Sequence, residues 1–510
     1  MNKYKIFQST INYNLMKIKH VTTALMAGMI VLANVACEKS FEPSTSIDES
    51  SALSSAADIE TATIGTYALF KDAAYVRSGY FFTEYPSDAI AQGQNSSDDL
   101  SNIYKYTPIK ISSHAASFWA SAYRSVGAAN RVIEAIPDAA AADAKQLKGE
   151  NLYIRAMLHF NLVRIFGRPY PQSPEVNLGV PILKDGLTDD EKLVLPRSTV
   201  KQVYDFVIAD LLKAIDFMTQ NKSNSFASKQ VAEALLARVY LYKGDNANAI
   251  VYANKVINSG RYSLLSTSEL PNYFRSSPDA NKETIFCIRH IKTEDRGYSA
   301  IGSMYFSGDA SGNPLNQAAS GWGELYASKK IYDTFMQNPQ DVRLKFLSPL
   351  MENGVVKVNN KITPNVPMYY INKYNLQEGI VNLSSPVYLR LAEMYLIRAE
   401  ANAKTPGNDL AALDDVNRIR TRAGIPALTL AGLTTAGKTM LDAVLDERAL
   451  ELAFEGHRAY DLFRNNRPVV RNYPGTGTST NQIVDPGDSK VVAFIPQNEI
   501  DKNPKLVQNP

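Results

Sequence analysis

Apolar residues recur at helical spacing along most of the chain from Asp58 onward, and three of the helical stretches are alike. They are GENLYIRAML from Gly149, AEALLARVYL from Ala232 and AEMYLIRAEA from Ala392. Each stretch has a glutamate that is followed five residues later by an arginine, within a mostly apolar run. Such self-similarity indicates helices that occupy equivalent places in a repeated unit.

The likeness continues past two of these helices. GDNANAIVYANKV begins at Gly244 and GNDLAALDDVNRI begins at Gly407, and both have alanine at the sixth position and asparagine at the eleventh. A helix, a short turn opened by glycine and a second helix with alanine at the crossing make up the tetratricopeptide pattern. We therefore predict a mainly α fold, built on a tetratricopeptide-like helical repeat scaffold.

Two long segments interrupt the helical pattern, residues 78–112 and residues 262–385. Both are dense in Gly, Pro, Ser, Asn and aromatic residues. They also contain short strand-like runs such as TIFCIRH from Thr284 and VPMYYINKY from Val366. Because the repeats are not consecutive, we predict that the scaffold carries these segments as large irregular insertions with short strands.

The first 36 residues have the features of an export signal, with four lysines and no acidic residue. An apolar stretch of about 15 residues, shorter than a membrane-spanning helix needs, ends directly before Cys37. This junction resembles a bacterial lipobox, with Asn34 where that pattern has leucine. Residues 1–36 are therefore predicted to be a lipoprotein signal peptide and Cys37 the lipidated residue. Met1 and Met16 are both candidate start residues.

Residues 37–57 are rich in serine and acidic residues, which is typical of a flexible tether, and residues 58–510 are predicted to form a single domain. Without the signal, 50 Lys and Arg stand against 51 Asp and Glu, a net charge of −1. A nearly neutral chain without basic runs argues against nucleic acid as a partner. Cys287 is the single cysteine besides Cys37, so no internal disulfide is expected.

The stretch GLTTAGKT, residues 432–439, matches the phosphate-loop pattern G-x-x-x-x-G-K-[ST]. A working phosphate loop needs a β-strand that leads into it and a magnesium-binding aspartate at the end of a buried strand. Here the stretch lies between repeat helices, and the nearest aspartate candidate, FVIAD at residues 206–210, falls within an amphipathic helical pattern. We therefore interpret residues 437–439 as a loop and helix start, with nucleotide hydrolysis as an alternative that nucleotide titration tests.

Other residue patterns give no basis for catalysis, a metal site or a cofactor. His457 lies in EGHRAYD and is interpreted as a buried, hydrogen-bonded residue of a packing motif. The acidic runs at residues 189–191 and 414–415 are interpreted as solvated surface, and a glycosidase carboxylate pair cannot be assigned without geometry. Four histidines follow the signal, far apart and without metal-ligand spacing: His114, His159, His290 and His457.

Four longer segments carry a resemblance to a known family. They are IRAMLHFNLVRIFGRPYP (residues 154–171), LDDVNRIRTRAGIP (413–426), DERALELAFEGHRAYDLFR (446–464) and FIPQNEIDKNPKLVQNP (494–510). In this order they resemble the SusD/RagB family of outer-membrane lipoproteins over nearly the whole chain after the signal. The resemblance implies a lipid-anchored protein, expected at the cell surface, that captures oligosaccharides or, in some members, peptides. The sequence itself leaves surface and periplasmic orientations of the anchor open. Its implied partner is a SusC-like, TonB-dependent transporter of the outer membrane.

Carbohydrate sites combine exposed aromatic rings with polar side chains, and both insertions have this mixture. The segments are residues 78–106 and residues 297–326, where the resemblance also places the family's ligand site. Trp322, between two glycines in GWGE, is the expected platform, whereas Trp119 lies on a helical pattern and is expected in the core. Further candidate ligand-binding residues are Tyr80, Asp88, Tyr104, Tyr298 and Tyr305.

Two other classes of protein remain open. A helical-repeat lipoprotein that assembles outer-membrane proteins would share the anchor and the repeats, although it would not need long aromatic insertions or the closing PQNEID motif. A glycan-cleaving enzyme would need a carboxylate pair in the ligand pocket, and turnover by the purified protein would reveal it. The sequence leaves the identity of the glycan or peptide open.

Overall fold

α-Helices make up most of the regular structure between Ser55 and Pro510, and short strands lie between them. The computed structural model describes residues 53–93, 99–307, 321–361, 364–476 and 482–510. Cys37, the predicted signal peptide and the predicted tether up to residue 52 lie outside the described residues. No helix of the described ranges is long and apolar enough to cross a membrane.

The α-helices of the described residues follow the apolar periodicity of the sequence. They are α1 (Ala56–Leu69), α2 (Ala73–Glu84), α3 (Leu100–Lys105), α4 (Ser113–Ala135), α5 (Ala142–Phe166), α6 (Asp189–Leu193), α7 (Val200–Phe217), α8 (Lys229–Lys243), α9 (Asn246–Ile257), α10 (Ile301–Tyr305), α11 (Lys329–Met336), α12 (Leu391–Ala403), α13 (Asp409–Arg422), α14 (Leu430–Thr435), α15 (Met440–Glu451), α16 (Arg458–Arg464) and α17 (Gln497–Lys502).

The strands are short, and each ladder in the described residues is an antiparallel pair of two strands. The predicted strand-like run at Thr284 corresponds to the strand Thr284–Cys287, and the run at Val366 corresponds to the strands Val366–Pro367 and Tyr369–Ile371. The pairs are β1 (Ile90–Gln92) with β3 (Leu325–Ala327), β2 (Thr284–Cys287) with β10 (Val387–Arg390), β4 (Leu347–Pro349) with β9 (Tyr369–Ile371), β5 (Met351–Glu352) with β6 (Val355–Val356), β7 (Val358–Asn359) with β8 (Val366–Pro367), and β11 (Val469–Arg471) with β12 (Gln482–Val484).

The predicted repeat units are helical hairpins. Helix α8 ends at Gly244 and α12 is followed by Gly407, and both glycines have positive φ, 82° and 85°. A residue with a Cβ rarely adopts this left-handed conformation, so glycine allows the chain to turn directly into α9 and α13. Helices α9 and α12 then pack side by side, which joins the two hairpins. The mainly α, tetratricopeptide-like scaffold is therefore confirmed.

The arginine of each repeated stretch holds two helices together. Each guanidinium pairs with a carboxylate on a different helix: Arg155 with Asp210 at 2.7 Å, Arg238 with Glu393 at 2.6 Å, and Arg398 with Asp415 at 2.7 Å. Such partly or fully buried pairs must be matched, because a lone buried charge is strongly destabilising. The interpretation of the acidic runs as solvated surface is correct for residues 189–191, which are exposed. It is wrong for Asp415, which is buried against Arg398.

Helix α2 extends into the segment that the sequence assigns to the first insertion. It ends at Glu84, so the prediction that irregular structure begins at residue 78 is wrong for residues 78–84. Gly79 weakens the helical signal in the sequence, but a Cβ there would lie 3.1 Å from the ring of Phe118 on α4. The glycine therefore permits close packing of α2 on α4, and tertiary contact outweighs local helix propensity.

GLTTAGKT forms the end of one helix and the start of the next. Its first residues belong to α14, Gly437 turns the chain with φ of 65°, and the Thr439 side chain caps α15. Lys438 points to the surface, with its Nζ 2.7 Å from Asp446 Oδ2. Irregular chain, without a strand, leads into α14, and residues 206–210 lie within α7. The sequence interpretation as loop and helix start is confirmed.

Candidate functional site

Tyr298 and Trp322 form an exposed aromatic pair on the second insertion. Their side chains are 57% and 53% exposed, and no other aromatic residue of the described ranges is as open to solvent. The ring centroids lie 5.6 Å apart with an angle of 69° between the planes. This edge-to-face arrangement is favourable for the pair itself and leaves ring faces accessible to a ligand.

The two glycines that flank Trp322 bring its backbone against α10. A Cβ on Gly321 would lie 2.1 Å from the carbonyl oxygen of Phe306, and a Cβ on Gly323 would lie 2.7 Å from the Tyr370 ring. This close approach lets the backbone N–H of Trp322 donate to the carbonyl of Ser303 at 2.6 Å. The GWG sequence is therefore a steric requirement of the loop that presents the indole ring.

The backbone carbonyl of Tyr298 holds the site together. It accepts hydrogen bonds from Trp322 Nε1 at 3.3 Å, from Arg77 on α2 at 3.2 Å and from the Ser303 hydroxyl at 2.7 Å. The indole N–H is thereby hydrogen-bonded within the protein, so the ring keeps this orientation without a hydrogen bond to water. The scaffold helix α2 and the insertion jointly fix the aromatic pair.

Two guanidinium groups accompany the aromatic pair, one on α2 and one on the loop that carries Tyr298. Arg77 shares the Tyr298 carbonyl with the indole, so the two groups lie within two hydrogen-bond lengths of each other. Arg296 is exposed, two residues before Tyr298. Within the described ranges neither arginine forms an ion pair. Aromatic faces beside polar N–H donors can stack on the C–H faces of a sugar ring and bind its hydroxyl groups.

Tyr80 and Asp88 lie away from this pair. Tyr80 is half-buried, with its hydroxyl 3.3 Å from that of Tyr374. Asp88 is buried between Arg458 at 2.8 Å and Lys330 at 2.6 Å. Burial alone would raise the pKa of Asp88, but the two cations outweigh it and hold this pKa below its usual value. Asp88 therefore ties α16 to α11, and we remove it from the candidate site.

Tyr104 and Tyr305 are inside the fold, each 1% exposed, and present no ring face to a ligand. The Tyr104 hydroxyl donates to the Ile90 carbonyl at 3.2 Å, and the Arg471 guanidinium lies 4.3 Å from the centre of its ring. Tyr305 packs against Tyr374 with ring centroids 6.2 Å apart. The expectation that these two tyrosines contact ligand is not supported by their positions, because the insertions bury their own aromatic residues.

The acidic residues of the EGHRAYDLFR motif form buried ion pairs with residues of neighbouring segments. Glu455 pairs with Lys373 at 2.6 Å and with Arg390 at 2.8 Å, and Asp461 pairs with Arg448 at 2.8 Å. His457 of the same motif is buried as predicted, but its Nδ1 has no hydrogen-bond partner among the described residues. The prediction of a fully hydrogen-bonded histidine is therefore wrong in this respect. Within the described ranges, no group of three or more His, Cys, Asp or Glu residues could hold a metal ion.

A helical-repeat scaffold that presents an aromatic pair on an irregular insertion defines a class of ligand-binding protein. Family models match two segments of the chain: "SusD family" at residues 351–510 and "Starch-binding associating with outer membrane" at residues 40–241. The chain belongs to the SusD/RagB family, as the sequence predicts. This is a carbohydrate-binding family that associates with the outer membrane.

Relatives agree with this assignment over most of their length. A SusD-like protein of Formosa agariphila is 26% identical, over 80% of this chain and 83% of the relative. The structure is similar to that of a SusD superfamily protein from Bacteroides vulgatus, with 28% identity, a TM-score of 0.76, and 89% of this chain and 98% of that one covered. It also shares its fold with a laminarin-binding SusD-like protein, at 23% identity and a TM-score of 0.69, with 89% and 99% covered.

Proposed function

We propose that this protein binds an oligosaccharide through the Tyr298 and Trp322 pair. The exposed, internally hydrogen-bonded indole is the observation that carries the proposal. Adjoining exposed apolar groups often mark a binding site, and here the loop glycines and the Tyr298 carbonyl hold the two rings in position before a ligand arrives. Arg77 and Arg296 supply N–H donors at the rim. Family membership supports carbohydrate as the ligand class.

The protein delivers its ligand rather than cleaving it. In this proposal Cys37 carries the lipid anchor, the protein lies at the cell surface, and a SusC-like, TonB-dependent transporter receives the glycan. The export-signal features of residues 1–36 and the family description support outer-membrane association. The exposed aromatic pair offers stacking and hydrogen bonding, which is the chemistry that binding of a sugar needs.

Affinity electrophoresis and calorimetry with purified protein test the binding step. A panel of neutral and acidic glycans is needed, including starch, because the ligand is unidentified. We expect at least one glycan to slow the migration of the protein in the gel. We also expect the length of the glycan to stay unchanged after prolonged incubation with the protein. Binding to no glycan of the panel, or release of shortened products, would contradict the proposal.

The anchor and the transporter require two further measurements. Mass spectrometry of membrane-extracted protein should show an acylated Cys37 as the first residue, and Cys37→Ser should release the protein from the membrane fraction. An unmodified Cys37 would overturn the anchor. Affinity purification of the native protein from outer membranes should recover a TonB-dependent barrel, and its consistent absence would overturn the delivery step.

A further inference from the structure

A second pocket lies beneath α2, away from the exposed aromatic pair. It is enclosed by α2, α5, β10 and the turn that leads into α16, and its volume is about 70 Å³. About 10–15 Å³ of such space is enough for one water, so the pocket has room for several waters or for a small ion with water. Its wall combines aromatic side chains such as Tyr80 and Phe118 with charged ones such as Arg164.

Arg164 brings a positive charge to this wall without a matching negative one. Its hydrogen bonds go to neutral oxygens: Asn161 Oδ1 at 3.4 Å, the Gly456 carbonyl at 3.1 Å and the Tyr242 hydroxyl at 3.4 Å. Its Nε is buried without a partner, and no carboxylate of the described residues pairs with it. The ring of Tyr460, 4.2 Å away, compensates only part of the charge, as cation–π contacts do.

The other charged groups of the wall are already neutralised. Arg238 forms a two-pronged salt bridge with Glu393, at 2.6 Å for both contacts. Glu455 is held by Lys373 and Arg390. The pocket therefore has an excess of one positive charge, which comes from Arg164, in surroundings of low dielectric constant where an unmatched charge is unfavourable.

His457 adds a buried donor to the same wall. It is 6% exposed, and its Nδ1 makes no hydrogen bond within the described residues. Burial and the nearby guanidinium groups of Arg238, Arg448 and Arg164 hold the pKa of His457 well below its usual value. The imidazole is consequently neutral and has one N–H group to donate.

We propose that this pocket binds a small monovalent anion, a halide or a short carboxylate, between the Arg164 guanidinium and the His457 ring. Water alone would hydrogen-bond to both groups but would leave the guanidinium charge uncompensated. An anion would satisfy the guanidinium charge and the unpartnered Arg164 Nε–H together, and the His457 tautomer with its proton on Nδ1 would donate to it as well. Bound there, it would fasten α2, α5 and the turn at Gly456 to one another, at the end of α2 where the Gly456 N–H donates to Glu84.

Thermal unfolding at fixed ionic strength tests the proposal with bromide and chloride as probes. Gluconate serves as the reference anion, because it is much larger than a halide and binds guanidinium groups less closely. We expect a saturable rise in melting temperature of about 3 °C at a hundredfold excess over the dissociation constant. Crystals grown with bromide should show its anomalous signal within contact distance of Arg164 and His457. Equal melting temperatures in bromide and gluconate, together with a pocket free of bromide, would mean that it holds water only.

A pair of variants separates this site from general salt effects. Arg164→Gln removes the charge, whereas Arg168→Gln changes an arginine one turn further on that donates to the Gly487 and Asp488 carbonyls. Arg164→Gln should lose the response to halide, and Arg168→Gln should keep it. A halide response that persists in Arg164→Gln would overturn the proposal. If Arg164→Gln does not fold, the bromide position in crystals of the unaltered protein decides the question.

Discussion

The indole N–H of Trp322 donates to the backbone carbonyl of Tyr298, while the rings of these two residues meet edge to face. The same carbonyl accepts a hydrogen bond from Arg77, which belongs to the helical scaffold. A side chain that is fixed in this way loses little conformational entropy when a ligand stacks on it. Under the proposed function the pair is thus a preorganised surface for binding, although both residues are more than half exposed.

Replacing Trp322 with alanine should weaken glycan binding without unfolding the protein. An exposed ring contributes little to the core, whereas loss of a stacked aromatic contact should lower affinity about tenfold or more, or roughly 1–3 kcal/mol. Calorimetric titration with the glycan that the unaltered protein binds measures this loss. The melting temperature should stay within a few degrees.

Trp119→Ala is the matched control for this prediction. Trp119 is 4% exposed and packs against Phe166 with ring centroids 5.0 Å apart. Its removal should destabilise the fold by about 3–5 kcal/mol, while the fraction that remains folded binds normally. If Trp322→Ala instead unfolds the protein or binds as well as the unaltered chain, the ligand site lies elsewhere.

Gly321→Ala should also weaken binding, because it displaces the loop rather than the ring. The new Cβ would meet the Phe306 carbonyl oxygen at 2.1 Å and the Ser303 carbonyl oxygen at 2.8 Å. Neither backbone atom can move freely, so the loop must shift away from α10, at a cost of about 1–3 kcal/mol. Chemical denaturation measures the stability change and titration with glycan measures the affinity.

Gly127→Ala provides the comparison, since it makes the same substitution at an uncrowded position. Gly127 lies within α4, and a Cβ there would meet no atom within 4 Å. Alanine favours a helix by up to about 1 kcal/mol over glycine, so this variant should be equally or more stable and should bind normally. Equal behaviour of the two variants would show that the loop does not depend on the close approach at Gly321.

Lys438→Ala should leave both stability and glycan binding intact. Lys438 and Asp446 form a surface ion pair in which each side chain is 49% exposed, and such pairs contribute little. We expect a change in the free energy of unfolding of less than about 0.5 kcal/mol. Fluorescence titration should show no nucleotide binding by the unaltered protein. Lost ligand uptake in a normally folded Lys438→Ala variant would revive the nucleotide hypothesis.

The sequence predicts the scaffold well because its signals are local. The glycine-opened turns at Gly244 and Gly407 and the spacing of apolar residues specify helical hairpins without reference to distant contacts. Trp322 was identifiable for a similar reason, since glycines on both sides exclude a helix and leave a bulky ring with few local partners. These features depend on neighbouring residues alone.

The remaining site residues depend on contacts that local composition does not encode. Tyr104 and Tyr305 occur in the same two predicted insertions as Tyr80 and Tyr298, yet both are buried in the main core together with residues of the scaffold helices. Arg77 lies on a helix far from Trp322 in sequence, and it joins the site only because α2 packs beside the Tyr298 loop. Aromatic residues of the insertions also pack against the scaffold, so composition indicates where to look for a site but not which rings face outward.

Because of Glu84, we expect the free energy of unfolding to fall as the pH rises from about 4.5 to about 8. This carboxyl at the end of α2 is fully buried, and burial raises its pKa from 4.5 to about 8, although it accepts hydrogen bonds from the Gly456 N–H and from Ser87. Between these two pKa values the unfolded chain releases the proton while the folded protein retains it. Stability contributed by the protonated carboxyl is thus fully present below pH 4.5 and is lost as pH rises toward 8. The slope is about 1.4 kcal/mol per pH unit.

Glu84→Gln removes the titrating proton while keeping a similar shape, so this part of the pH dependence should vanish. Urea denaturation across the same pH window measures the free energy of unfolding for both proteins. Glu60→Gln, an exposed substitution on α1, should keep the slope of the unaltered protein. The two curves for Glu84→Gln and the unaltered protein should therefore diverge steadily toward alkaline pH, with the variant the more stable there. Parallel curves would show that Glu84 is ionised in the folded state and that its environment is more hydrated than its burial indicates.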